Sequence, residues 1–267
     1  MSSSTHSSTL DIRRPRPHVA EVWLNRPDVR NAFNDGVIAE LAATFLALAE
    51  EPDLRVVVLA GHGKAFCAGA DLNWMRAMAD YDWAQNKADA QALADMLWVT
   101  HRCPVPVIGR IHGDCYAGGV GLAAVCDVVV AAEGVNFCLS EAKLGLLPAT
   151  IGPYVIRAMG ERAAQRYFVT AERFSAAEAQ RIGFVHEVCP AAEIDARVQG
   201  LVDALVANGP AAVKACKQLV QDLAGQPISA ALREDTARRI ADIRGSNEGK
   251  EGVSAFLQKR SPAWLGN

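Results

Sequence analysis

Two short glycine-rich turns and one carboxylate are the residues of this chain with chemistry to offer. The first turn is Phe66-Cys67-Ala68-Gly69-Ala70-Asp71-Leu72, after an apolar run that ends at Ala60. Its small residues let a ligand approach the backbone, and Asp71 can cap a following helix. The second is Gly113-Asp114-Cys115-Tyr116-Ala117-Gly118-Gly119-Val120-Gly121, after the apolar run 105–111. A strand-to-helix turn on Gly118 and Gly119 leaves N–H groups without partners where the helix dipole favours negative charge. Tight packing explains either turn alone. If each gives one N–H to the same carbonyl oxygen, the pair is an oxyanion hole.

The carboxylate is Glu141, in the largely apolar stretch Leu139-Ser140-Glu141-Ala142-Lys143-Leu144-Gly145-Leu146-Leu147-Pro148. Desolvation there would raise its pKa toward working pH and suit it to proton transfer. A structural ion pair with Lys143 or Arg157 is the alternative, and the residues leave both open. Asp114, the nearest spare carboxylate, is expected to serve its turn or the surface.

Positioning these groups requires strands and helices in alternation. Strands are expected over Val19–Leu24, Arg55–Leu59, Val105–Ile111, Asp127–Val130 and Phe184–Val188, each β-branched and bounded by Gly, Pro, Asn or charge. Asn34–Glu50 has helical spacing, with Val37, Ile38, Leu41, Phe45 and Leu48 on one stripe and Asn34 as N-cap. A longer helix is expected over Trp83–Thr100, stopped by Cys103-Pro104. After Pro190 strand signals vanish and four helices follow, near 192–207, 210–223, 228–243 and 247–258. The expected organisation is a disordered leader over 1–10, a strand-and-helix core over 11–190 and a helical region over 191–267.

Other chemistries are disfavoured. Alternating strands and helices suggest a doubly wound dinucleotide fold, but Gly61-His62-Gly63-Lys64 lacks the third glycine and the P-loop spacing. There is no GxSxG elbow and no CxxC pair, and the six histidines are isolated. The seven cysteines are spread through apolar runs and read as buried free thiols of a reducing cytosol. The 267-residue chain has a formal net charge of −3, which offers no footprint for nucleic acid or an anionic membrane. With 51% hydrophobic residues and no apolar run of bilayer length, a soluble cytoplasmic protein is expected.

In their order, these pieces resemble the enoyl-CoA hydratase/isomerase (crotonase) superfamily. The resemblance runs from Leu24-Asn25-Arg26-Pro27 and Asn31-Ala32 through the two turns, Cys126-Asp127 and Ser140-Glu141-Ala142-Lys143-Leu144-Gly145. It ends on Glu251-Gly252-Val253-Ser254-Ala255-Phe256-Leu257-Gln258-Lys259-Arg260-Ser261-Pro262. It implies an α/β fold, a spiral of ββα units followed by a helical trimerisation region. It also implies an acyl-CoA thioester substrate, no metal and no redox cofactor, and a homo-trimer or a hexamer of paired trimers. Ala70 and Gly118 match the oxyanion-hole positions, and Glu141 matches the second of two hydratase glutamates. Ala68, Asp71, Gly119, Phe256 and Lys259 fall in segments associated with substrate or coenzyme A. The first hydratase glutamate falls on Gly121, and the first glycine of the usual triplet is Ala117.

The stretch 138–153, with Glu161–Tyr167 and Thr170–Phe174, is further similar to bacterial hydratases of methylglutaconyl-CoA and carboxygeranoyl-CoA type, of leucine and acyclic-terpene breakdown. That similarity implies hydration of a branched, carboxylated 2-enoyl-CoA, with Lys143 as candidate cation for the distal carboxylate. Isomerisation by the single glutamate, or thioester binding without catalysis, are the alternatives. Trp74, Met75, Met78, Trp98 and Tyr116 are candidates for the pocket wall.

Overall fold

A computed structural model of the chain describes residues 8–266. Residues 1–7 of the expected leader lie outside them, and the leader does not extend to residue 10. The Thr9 N–H donates to Glu40 Oε2 at 2.9 Å, and Leu10, 4% exposed, opens the first strand. The pairing of Leu10–Arg13 with Glu21–Leu24, the Thr9–Glu40 contact and the buried Leu10 together hold this end.

Ten strands form two sheets: β1 (Leu10–Arg13), β2 (Val19–Leu24), β3 (Val56–Gly61), β4 (Ala65–Cys67), β5 (Val107–Ile111), β6 (Asp114–Tyr116), β7 (Val128–Ala132), β8 (Asn136–Cys138), β9 (Arg173–Ser175) and β10 (Glu187–Cys189). The larger sheet has the order β1-β2-β3-β5-β7-β10 and the smaller β4-β6-β8-β9. Only β1/β2 and β8/β9 pair antiparallel. From β3 to β8 the chain alternates between sheets, so each long strand is followed by a short one in the other sheet. This is the expected ββα spiral, and it excludes a single doubly wound sheet. Every residue of β3 is buried, as a parallel strand covered on both faces requires.

Eleven helices complete the described chain: α1 (Asp35–Ala49), α2 (Leu72–Met78), α3 (Trp83–His101), α4 (Gly118–Ala124), α5 (Gly152–Met159), α6 (Glu161–Thr170), α7 (Ala176–Arg181), α8 (Ile194–Ala207), α9 (Pro210–Leu223), α10 (Ala230–Gly245) and α11 (Asn247–Gln258). The expected stripe of α1 is its buried face, and Asn34 caps it by accepting the Val37 N–H at 2.9 Å. The start of α3 carries a capping box between Asp82 and Gln85. The last four helices fall within a few residues of the expected positions. Helix α8 packs on β3, β5 and β7. The Arg55 guanidinium donates to the carbonyls of Val206 and Trp264, tying the helical region to the core.

Of the five expected strands the last begins late, and β1, β4, β6, β8 and β9 are not among those expected. Phe184 and Val185 are buried but donate their N–H groups to Ala179 O, closing α7, so the strand begins only at Glu187. Their apolar character serves the core and not a ladder. Six cysteines are buried, while Cys216 is exposed, contrary to the expectation for all seven. No described helix is long and apolar enough to cross a membrane.

Candidate active site

The three groups singled out in the sequence follow the carboxyl ends of three neighbouring parallel strands. β4 pairs with β6 (Ala65 opposite Asp114) and β6 with β8 (Tyr116 opposite Cys138). The first turn leaves β4, the second leaves β6, and Glu141 follows β8 by three residues. Adjacent strands lie about 4.8 Å apart, so the topology brings together segments distant in sequence.

The two turns touch. A Cβ on Gly69 would lie 2.9 Å from Ala117 Cβ, and one on Gly119 would lie 2.7 Å from Cys67 O. Gly69 has φ +92, so glycine meets both a steric and a backbone requirement there. Ala117 adopts φ 46 and ψ −117, a sparsely populated conformation for a residue with a Cβ. Its N–H donates to Cys138 O at 2.8 Å, which stitches the second turn to the strand that leads to Glu141.

Phe33, buried between the turns, was not singled out by the sequence. Its N–H donates to Gly69 O and its carbonyl accepts the Asp71 N–H, both at 2.7 Å, so Ala70 is held in a one-residue bridge. Its ring packs where a Cβ on Gly118 would be, at 2.8 Å. The available signal was an apolar residue, Phe33, set between the Asn31-Ala32 pair and the helix cap Asn34 with no periodic element to serve. Among the described residues, neither the Ala70 N–H nor the Gly118 N–H donates to a protein acceptor. Two adjacent, unengaged amides of this kind can serve one oxygen.

Glu141 opens a 3₁₀ turn, Glu141–Leu144, closed by Gly145 at φ 71. Its Oε2 is buried with no hydrogen-bond partner. Burial, opposed only by its own backbone N–H, pushes the carboxyl above the ordinary 4.5. It has no ion pair with Lys143 or Arg157 among the described residues, so desolvation is the alternative that holds. Leu144, Leu146 and Leu147 stand beside it, 59%, 55% and 74% exposed, an apolar rim next to the acid.

The other expected residues divide. Asp71, expected in a substrate-binding segment, has both oxygens committed to the fold: Oδ1 accepts the Asn73 N–H at 2.8 Å and Oδ2 the Arg26 guanidinium at 2.8 Å. Burial pushes its carboxyl up, but these partners pull it below the ordinary value. Gly119 likewise is buried against Cys67, where its lack of a side chain permits close packing. The Ala68 N–H is taken by Arg30 O. Asp114 serves its turn, accepting from Tyr116 Oη at 2.6 Å. Lys143 is exposed, and so is Phe256, 82% accessible near the end of α11, with Lys259 capping that helix at φ 54. Of the wall candidates, Trp74 is half-buried and donates to Asp89. Trp98 is 54% exposed beneath the Arg102 guanidinium. A cavity of about 870 Å³ lies apart from these groups, between α5, α9 and the β5–β7 region, with His101, Asp127, Tyr154 and Lys217 in its wall.

Comparison with known proteins places the chain in a family and agrees with its fold. The family model described as enoyl-CoA hydratase/isomerase matches residues 15–267. The structure is similar to an enoyl-CoA hydratase of Shewanella pealeana, with a TM-score of 0.92, 41% identity and 96% of each chain covered. The 2,3-dehydroadipyl-CoA hydratase of Escherichia coli is 33% identical, over 97% of this chain and 99% of its own. The mevalonyl-coenzyme A hydratase of Beauveria bassiana is 32% identical, over 95% of this chain and 94% of its own.

Proposed function

The chain belongs to the enoyl-CoA hydratase/isomerase family, and from that premise we propose that it hydrates a branched, carboxylated 2-enoyl-CoA, such as 3-methylglutaconyl-CoA, with one glutamate. The observation that carries this reading is a buried, unpartnered carboxylate after one strand beside two unengaged amides after the neighbouring strands.

The Ala70 and Gly118 N–H groups hold the thioester oxygen. As water attacks C3, the C2–C3 π electrons move toward the carbonyl, and the amides stabilise the enolate charge that develops. Glu141, as carboxylate, takes the proton that the water oxygen loses on bonding to C3. As the acid so formed, it returns that proton to C2, the enolate collapses, and the net change is addition of one water. No electron acceptor enters this balance. The distal carboxylate would meet Lys143, whose ammonium is exposed and outside any ion pair among the described residues. A relative acting on 2,3-dehydroadipyl-CoA, itself a 2-enoyl thioester with a distal carboxylate, supports substrates of this class.

Isomerisation is the second reading, favoured by the lone acid: the same carboxylate can carry a proton between C2 and C4 of a 3-enoyl thioester. Assay of the purified protein with 3-methylglutaconyl-CoA, unbranched 2-enoyl-CoA and 3-enoyl-CoA separates the readings. Hydration of the first with the highest kcat/KM is expected; turnover of the 3-enoyl thioester alone assigns isomerisation, and tight binding without turnover of any assigns a non-catalytic member.

A further inference from the structure

The unengaged N–H groups of Ala70 and Gly118 each share a planar trans peptide unit with the carbonyl of the residue before, Gly69 and Ala117. Each carbonyl points away from its N–H and is pinned. Gly69 O accepts the Phe33 N–H at 2.7 Å, and Ala117 O accepts the Val120 N–H at 2.9 Å. The direction of each free amide therefore follows the backbone angles of Gly69 and Ala117, whose φ values are +92 and +46. These two residues also pack on each other. A Cβ on Gly69 would lie 2.9 Å from Ala117 Cβ and 3.8 Å from Ala117 Cα, so no further carbon fits between the turns.

Glycine accepts such a φ freely; alanine does not. At φ 46 and ψ −117 the Ala117 methyl strains the backbone where glycine would relax it. Ala117 is only half-buried, so core burial of one methyl does not offset that strain. What the methyl does is keep the two turns apart. We propose that Ala117 is a positioning residue: its Cβ, wedged against Gly69, sets the separation and angle at which the Ala70 and Gly118 amides meet one oxygen. A glycine at 117 would free ψ and let the turns close, and the two N–H directions would no longer converge. Charge on the oxygen grows toward the transition state, so poor aim weakens that state more than bound substrate. This rests on the acyl-thioester reading of the site and adds to it a spacer between the two amides.

The test measures kcat, KM and Tm for the wild type, Ala117→Gly and Ala117→Ser, on the enoyl-CoA thioester that the wild type turns over fastest. Ala117→Gly is expected to lower kcat about ten-fold or more, part of the loss of a whole donor, with KM changed by less than about three-fold. The same variant should gain about 2–4 °C in Tm as the backbone strain is released. Ala117→Ser keeps the Cβ and the strain, so it should turn over at least about five-fold faster than the glycine variant and show no gain in Tm. A residue that only packs would not join a slower reaction to a more stable fold. A glycine variant with kcat within about two-fold of wild type overturns the assignment, as does a serine variant as slow as the glycine one. Loss of Tm together with kcat in Ala117→Gly leaves Ala117 a packing residue. If the wild type turns over no thioester, the reading of the whole site fails and this inference with it; turnover undiminished in Ala117→Gly defeats this inference alone.

Discussion

Glu141 sits where water solvates it poorly and no cation compensates, and both its chemistry and its pH behaviour follow from that. With the carboxyl pushed above 4.5 by burial, the base form accumulates only as pH rises past the shifted value. The kcat/KM profile of the free enzyme should therefore show a one-proton acid limb with its midpoint above 4.5. Glu141→Gln should lower turnover by about 10²–10⁴-fold and abolish that limb; full turnover in this variant would remove Glu141 from the mechanism. Stability carries the opposite sign. The folded chain holds this proton more tightly than the unfolded one, so ionisation of Glu141 subtracts stability as pH rises through and above 4.5. Relative to wild type, Glu141→Gln should thus gain in Tm between acidic and neutral pH. The sequence marks Glu141 as the lone carboxylate of its stretch. Whether Lys143 or Arg157 neutralises it depends on side-chain placement in three dimensions, which spacing alone does not encode.

At the scale of elements, the site depends on strands of three residues. β4, β6 and β8 are too short to display a period of two, and β6 directly follows Gly113, so the sequence carries no strand signal for them. The longer strands β2, β3, β5 and β7, buried and β-branched, are legible within about two residues, and so are α1 with its cap Asn34 and the extent of α3. The connector that braces the first turn was visible only as the pair Asn31-Ala32. Asn31 is 1% exposed, and its Nδ2 lies within hydrogen-bond distance of the carbonyls of His62, Ala65 and Phe66, at 2.8, 2.9 and 3.1 Å. Its Oδ1 accepts the Arg26 N–H at 2.9 Å. It also takes φ 55, a left-handed conformation that asparagine tolerates. Asn31→Ala strands these buried groups and should cost about 3 kcal/mol, read by thermal or urea denaturation. Asn31→Asp should cost at least as much, because a carboxylate faces carbonyl oxygens with no proton to share. Loss of under about 0.5 kcal/mol would show that water replaces the side chain.

At the scale of the whole molecule, the core and the helical region meet on different terms. The core buries its apolar side chains in one continuous cluster. Helices α9 and α10 contribute no buried residue, while Val220, Ile228 and Leu257 are 67%, 86% and 72% exposed. Exposed hydrocarbon concentrated on one region is what an association surface presents, and the homo-trimer or paired trimers implied by the family resemblance is the assembly we propose for it. Light scattering should return three or six times the chain mass, and a monomer at micromolar concentration would contradict it. The helices themselves were readable from amphipathic spacing. What covers their apolar faces was not, because periodicity reports which face is apolar and not its partner.

The groups at Ala70 and Gly118 are main-chain amides and belong to no side chain. Replacing every side chain around them, provided the peptide path survives, leaves that half of the apparatus untouched and invisible to an alanine scan. Mutational drift can therefore exchange or delete an acid beside them without dismantling the anion-holding scaffold. A lineage built this way can try new reactions one carboxylate at a time.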